Sequence, residues 1–511
     1  VNIESMPRAG FGSGTQRDGT AHHKWLVLAV LCSTLLLVGM DLTILHVAVP
    51  TLSQHLLPSA SQLLWMVDSY PLTVAAFLIT CGTLSDRIGR KKVLLGGFAV
   101  FGAASLGAAL ATTPTMLICF RAALGFGAAM IAAATVAIIR IVFPDARERA
   151  FAIGVWSACH SVGAAIGPIA AGFLLEHFWW GSVFLINVPV VVVALVVGAV
   201  VVPESKDEVR RRWDALSAAL SVLGLGGLVY ALKQIGEHGS VSAPYLLVGA
   251  VAVALLVVLV LRQRRIREPL LELSLFADRK FSVATAAILA CFAGYIALMF
   301  FTTQRFQLIS DYSPLLAGTA LLPMAVANAL GAVFAPQLRA VLTNRGAIAL
   351  ALFVFAGSMF GLALLGSSGY GAVAVLLVGS GLGTGVVTTL GSDTIMSAAD
   401  PSRAGAAGAI QETSFELGSG LGIVILGTTS TVIYRSALQP LPGVGAAEHA
   451  EAQSSLGAAV KIAAELDGPA GAALRSAAVT AFDSGFTIAV AAGGGVLLAM
   501  AAVSWFVLRV R

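Results

Sequence analysis

Apolar residues run along this chain in blocks of about twenty, separated by short polar or charged turns. A block of that length crosses a ~30 Å hydrocarbon core as a helix, and a helix satisfies its own backbone groups there. The blocks predict helices at about 25–50, 62–81, 93–111, 114–138, 150–175, 182–202, 213–235, 244–262, 282–308, 314–337, 346–366, 369–392, 404–434 and 483–508. Fourteen crossings put both chain ends on one side. The alternating pattern of barrel strands is absent. The first block lacks a convincing cleavage site and is too long for a signal peptide, so it reads as a retained helix. Residues 1–24, polar, Gly-rich and basic, are expected to be disordered. The expected fold class is therefore an all-α polytopic membrane protein.

Charge orients the helices. Twenty-five of the 31 Lys and Arg fall in segments on the side of the chain ends. Five (Lys233, Arg305, Arg435, Lys461, Arg475) fall on the other side, and Arg121 lies within a helix. Loop bases resist translocation, so both termini are expected in the cytoplasm. The net charge of +5 then reflects topology and gives no reason to expect nucleic acid. The composition, 58% hydrophobic with a mean hydropathy of +0.91, agrees. All five cysteines lie in apolar runs without a C-x-x-C pair and read as small buried side chains. No nucleophile array, metal cluster or G-x-x-x-x-G-K-[ST] loop is found, so neither an enzyme nor direct ATP drive is expected, and no cofactor or metal.

The densest charge is the loop 82–92, Gly82-Thr-Leu-Ser-Asp86-Arg87-Ile-Gly89-Arg90-Lys-Lys, between the second and third predicted helices. Asp86 can pair with Arg87 or Arg90, or sit at a helix N-terminus, and the glycines allow a close turn. A weaker copy, 336–346, follows the tenth helix and keeps an Arg-Gly turn. Two six-helix halves would place the loops in this way. The organisation is then 25–203 and 282–511 as bundles, with 204–281 a two-helix insert, giving 6+2+6. The Ala-rich stretch 435–482 reads as an amphipathic hairpin broken at Asp467-Gly468-Pro469, either a plain solvated loop or a lid over the far vestibule.

Ionisable groups at membrane depth are costly and point to function. Asp41 lies about 24 Å from the cytoplasmic edge and Asp68 about 9 Å from the outer edge, at 1.5 Å per residue. Glu412 and Glu416 lie about 12 and 18 Å from the inner edge. Spaced i, i+4, these two share a helix face and repel as anions, so the pair suits holding one proton. The alternative for each acid is a neutral carboxyl bonded between helices. Arg121 reads as the lone deep base, needing a backbone carbonyl, an acid on the first helix or a wet cavity. His46, five residues past Asp41, could hydrogen-bond near it; His160 reads as a packing residue. Asn328 could line the cavity. Asp393, near a helix end, suits snorkelling or capping as well as function. Met66, Tyr295, Met299, Phe300, Phe301 and Phe415 offer apolar and cation–π contacts. In the stretch 163–172, Gly163, Gly167 and Gly172 permit close helix approach, and Pro168 frees a backbone carbonyl.

Four stretches resemble signatures of the major facilitator superfamily: 82–92; Arg121-Ala-Ala-Leu-Gly125-Phe-Gly127; 163–172 with Gly167-Pro168; and Asp41-Leu-Thr43-Ile-Leu-His46-Val-Ala-Val-Pro50. The third is similar to the antiporter motif and the fourth to the first helix of the fourteen-helix drug:proton antiporters. Leu64-Trp65-Met66-Val67-Asp68-Ser69-Tyr70, Phe184-Leu-Ile-Asn187-Val-Pro189 and Gly408-Ala-Ile-Gln-Glu412-Thr-Ser-Phe-Glu416-Leu-Gly418 resemble the bacterial quaternary-ammonium and methyl-viologen exporters. The resemblance implies a major facilitator fold and export of lipophilic cations against protons, in a monomer amid membrane lipids. It implies proton-coupling or cation-binding roles for Asp41, Asp68, Glu412, Glu416 and Arg121. It implies a cytoplasmic latch at Gly82, Asp86, Arg87, Gly89 and Arg90. Some relatives carry an acid where Asn328 stands, and His46 replaces the more usual Asn. A dedicated exporter of an endogenous metabolite or self-made antibiotic fits the same residues. A membrane enzyme or lipid-handling protein would need chemistry that is not found.

Overall fold

The computed structural model describes residues 16–205, 214–238, 242–266, 272–365, 369–400, 403–466 and 468–508. Outside these lie residues 1–15, the connector bases Lys206, Arg210, Arg211, Arg212 and Arg267, the terminal Arg509 and Arg511, and Asp467 of the expected hairpin break.

The described chain is helical throughout its spans. The N-terminal half comprises α1 (Gln16–Leu56), α2 (Ala60–Ile88), α3 (Arg90–Ala109), α4 (Pro114–Val142), α5 (Ala146–His177), and α6 (Ser182–Leu185) running into α7 (Asn187–Val201). The insert is α8 (Ala215–His238) and α9 (Ala243–Gln263). The C-terminal half holds α10 (Arg279–Leu308), α11 (Pro314–Ala320), α12 (Leu322–Leu365), α13 (Tyr370–Ala398), α14 (Ala404–Gly422), a π-helical turn (Ile423–Gly427) and α15 (Thr428–Ala437). It continues with α16 (Ala446–Ala452), α17 (Leu456–Glu465) and α18 (Pro469–Val507).

Among the described residues, 13 helical stretches are long and apolar enough to cross a membrane. One of them, Pro314–Leu365, has 52 residues, about 78 Å of helix and so more than two bilayer cores. It doubles back at Thr343 (φ 64°, ψ 164°). Gly331 packs on Leu382 and Gly383 on the Ala351 carbonyl, so both sides of Thr343 meet α13 at one level. Fourteen crossings result. The expected loop at 336–346 is thus a single-residue pivot, because Pro336 and its neighbours remain helical. Its counterpart in the N-terminal half is Gly89 (φ 116°), between α2 and α3.

Another boundary differs. The expected hairpin to residue 482 ends earlier, since Gly468 (φ 75°) and Pro469 start α18, and its Ala-rich first turns extend the last crossing. The remaining hairpin, α16–α17, seats Gly457 against Ser53 and Pro50 of α1. That contact joins the two halves on the face away from the loop 86–92.

Small residues set the helix spacing, because lipid supplies little hydrophobic force between helices. Gly39 meets the His160 carbonyl and Gly163 the Leu36 carbonyl, so α1 and α5 touch backbone to backbone. Pro168 has no N–H to give to the Ala164 carbonyl four residues earlier. The Thr43 hydroxyl of α1 donates to that carbonyl instead, at 2.9 Å. Across the halves, Gly172 backs onto Leu315, Gly318 onto the Pro168 carbonyl, and Gly427 onto Leu64. The Thr303 hydroxyl donates to the His46 carbonyl at 3.0 Å and the Gln307 amide to the Val47 carbonyl at 2.8 Å. These joints lie in the parts of the helices remote from the loop 86–92, which closes the molecule on that remote side.

Candidate functional site

Arg121 of α4 is buried in the middle of the N-terminal half and pairs with Asp41 of α1. Its Nε donates to the Met66 carbonyl at 3.2 Å, and its guanidinium lies 4.7 Å from the Tyr70 ring centroid. The other Asp41 oxygen accepts from Asn187 Nδ2 at 3.3 Å, and Asn187 also donates to Ser105 Oγ at 3.1 Å. Ser105 in turn donates to the Phe184 carbonyl. The network joins α1, α2, α3, α4, α6 and α7, and two of its members, Arg121 and Asn187, bond the carboxylate directly. A buried charge survives only when paired and hydrogen-bonded, and both conditions hold here. Asn187 stands in a resembling stretch, but sequence reading gave it no task; its polarity within an apolar helix was the available signal.

A second acid is matched by a base that charge counting put in an outer loop. Lys233 of α8 is fully buried, with Nζ 2.7 Å from Asp68 Oδ2 and 4.2 Å from the Trp65 ring centroid. Arg121 is thus not the lone deep base: Asp41 and Asp68 each have a buried base beside them. Arg305, also assigned to an outer segment, lies within α10, 9% exposed, and pairs with Asp483 of α18.

Glu412 and Glu416 differ from the other two acids. They lie on one face of α14, Glu412 half-buried and Glu416 8% exposed. No ion pair or hydrogen bond among the described residues engages either carboxylate, and Glu416 Oε2 is buried without a partner. Phe415, between them in sequence, lies tilted against Phe292 of α10, with 4.7 Å between ring centroids. Gly418 and Gly422 press α14 onto the Leu289 and Ala293 carbonyls of α10. This pair faces the seam between halves, where Gly420 meets Leu72 of α2.

Other candidates are placed less centrally. His46 makes no bond to Asp41; its ring stands edge-on to Phe300 at 6.3 Å with Nδ1 unpartnered, because the turn between residues 41 and 46 points the two side chains differently. Met66, Phe300 and Phe301 are buried in the core. Tyr295 and Met299 border a narrow cleft with Ala164, Pro168 and Met324. Asn328 stands beside the Tyr295 hydroxyl. On the basic side, Asp86 accepts from Arg90 at 2.9 Å within its own loop, and Arg87 is exposed. Arg90 N–H donates to the Ser205 carbonyl at 3.0 Å, bracing the loop on the connector after α7. Asp393 pairs with Arg339 across the second loop. Among the described residues no group of His, Cys, Asp and Glu could hold a metal.

The chain is 36% identical to the multidrug efflux pump LfrA of Mycolicibacterium smegmatis, over 95% of this chain and 96% of that protein. It is 36% identical to the methyl viologen resistance protein SmvA of Salmonella typhimurium, over 94% and 98%. It is 30% identical to the tetracenomycin C resistance and export protein of Streptomyces glaucescens, over 96% and 93%. A bacterial homolog of the human lysosomal transporter Spinster, solved inward-facing and unoccupied, superposes with a TM-score of 0.66 at 17% identity, over 97% of this chain and 98% of that one, a likeness of fold. The Major Facilitator Superfamily model matches residues 31–423. Fourteen crossings, paired positive-φ pivots and these matches agree: the chain is a membrane transporter and belongs to the Major Facilitator Superfamily.

Proposed function

We propose that this transporter exports lipophilic and quaternary-ammonium cations across the bacterial inner membrane in exchange for protons. The observation that carries the reading is the Glu412–Glu416 pair, two carboxylates on one helix face with no base beside them among the described residues. Two anions at i, i+4 in a low dielectric favour holding a proton or a cation between them. Asp41 and Asp68, by contrast, are neutralised by Arg121 and Lys233. Cargo enters from the side bearing the loop 86–92, and binds Glu412 and Glu416 beside Phe415 and Phe292 in place of protons. The halves rock, and protons from the far side displace it. Protonation of Asp41 would free Arg121 and so couple the N-terminal half to the same cycle. The potential adds about 2.3 kcal/mol per charge per 100 mV. The excess of loop bases on one side supports a cytoplasmic location for both termini. The protein acts as a monomer within lipid and uses no cofactor beyond the coupling proton.

The similarity to multidrug and methyl viologen resistance proteins supports a cationic cargo. The similarity to an antibiotic export protein supports a second reading, export of one self-made compound. Ethidium efflux from proteoliposomes with an imposed pH gradient tests the first: efflux that a protonophore stops supports it. Folded protein that moves no cation under any gradient favours the second.

A further inference from the structure

The insert is the part of the chain that a two-bundle carrier does not need, and its place in the fold is specific. α8 lies over the seam where α2 of the N-terminal half meets the α14–α15 crossing of the C-terminal half. Val229 of α8 is buried between Leu72 of α2 and Val424 of the π-helical turn, with Trp65, Leu225, Leu232 and Leu421 packed around them. The two sides of this contact differ in kind. Toward the C-terminal half, the described cluster around Val229 is apolar. Toward α2 it includes the Lys233–Asp68 ion pair, sealed from solvent on both sides. Among the described residues, neither the ammonium nor the carboxylate has another polar partner, and the Trp65 face covers the ammonium.

We propose that the insert is a lateral seal carried by the N-terminal half, and that Lys233 is its positioning residue. The ion pair with Asp68 fixes α8 to α2, and the α14–α15 crossing slides beneath α8 as the halves rock. Apolar contact is non-directional and can be exchanged for another apolar neighbour at little cost. A buried ion pair cannot be exchanged in this way, because separation leaves two unpaired charges in the membrane. Motion between halves must therefore be taken up on the apolar side. The π-helical turn, a weak point in helix geometry, lies on that side. The proposal rests on alternating access by the two halves and not on the nature of the cargo.

Cross-linking tests it in a variant with the native cysteines replaced by serine. One cysteine pair, V229C with L72C, joins the insert to α2; the other, V229C with V424C, joins it to the opposite half. A short bifunctional thiol reagent at the first pair is expected to leave at least half of ethidium efflux. At the second pair it is expected to reduce efflux at least tenfold, reversibly on reduction. Lys233→Met should lose transport, Lys233→Arg should keep it, and the first cross-link should restore it to Lys233→Met. A role in carrying protons or cargo would not be restored by a cross-link, so failure of that rescue overturns the assignment to Lys233. Arrest by the first cross-link, or full efflux with the second, overturns the seal. Cross-linking yield needs no cargo: it should stay constant for the first pair and vary for the second between acidic and alkaline buffer. Constant yield at both pairs also overturns the seal, whatever the cargo proves to be.

Discussion

Arg121 reaches from α4 to Asp41 on α1, and their side chains are 1% and 0% exposed. Removing one partner of such a pair costs more than removing both, because it strands the other charge in a low dielectric. Arg121→Met alone should destabilise the protein by about 3–5 kcal/mol, and Arg121→Met with Asp41→Asn by much less. Thermal unfolding in detergent measures both. Equal losses would mean that Asp41 left without Arg121 carries no penalty.

The unpaired acids make the opposite prediction. Glu412→Gln and Glu416→Gln remove charges that no base compensates, so both variants should fold as well as the parent. Each should abolish proton-driven efflux. The sign of the pH dependence follows from competition: protonated carboxyls attract no cation, so cargo binding should weaken as pH falls through the titration of the pair. In the double variant, tetraphenylphosphonium binding should be weak at every pH. Isothermal titration across pH checks this, and parent-like pH dependence in the double variant would remove these residues from the coupling.

The contact between α1 and α5 predicts a graded response. A Cβ at Gly163 would collide with the Leu36 carbonyl, and backbone cannot step aside as a side chain can. Gly163→Ala should destabilise or prevent folding. Gly154 of the same helix has nothing within 4 Å, so Gly154→Ala should be neutral or stabilise by about 0.5–1 kcal/mol through lower chain entropy. Thr43→Val should cost about 1 kcal/mol, the value of the bond to the Ala164 carbonyl. Thermal unfolding of the three variants ranks them.

Much of the fold was legible because block length and loop charge are read one residue at a time. Hydropathy blocks alone place the crossings, and the weak loop repeat anticipates the matching pivots at Gly89 and Thr343. The site was legible to the extent that its members are rare: any acid within an apolar run draws notice. Lys233 escaped because it lies near a predicted helix end, where a base ordinarily snorkels to the interface. Its depth comes near that of Asp68 only with the observed helix ends. Lys233 is five residues from the end of α8 and Asp68 eight from the start of α2, about 8 and 12 Å from the same face. The seam position of the insert was not legible, since the apolar faces of α8 carry no mark of which helix they meet.

The two pivots predict effects of opposite sign. Thr343 holds φ 64° and ψ 164°, a region that side chains with a Cβ adopt only under strain of about 1–3 kcal/mol. Glycine takes that conformation freely but raises the entropy of the unfolded chain by about 0.5–1 kcal/mol. The difference favours the variant, so Thr343→Gly should stabilise the protein by about 1 kcal/mol. At Gly89, φ is 116°, and a Cβ would stand 2.5 Å from Glu204 Oε1. Gly89→Ala adds strain of the same kind, and its Cβ makes the exposed Glu204 carboxylate swing aside. It should destabilise by at least about 1–3 kcal/mol. A parallel unfolding series on both variants checks the pair. A destabilised Thr343→Gly would mean that the second pivot is set by side-chain packing of the threonine and not by its backbone.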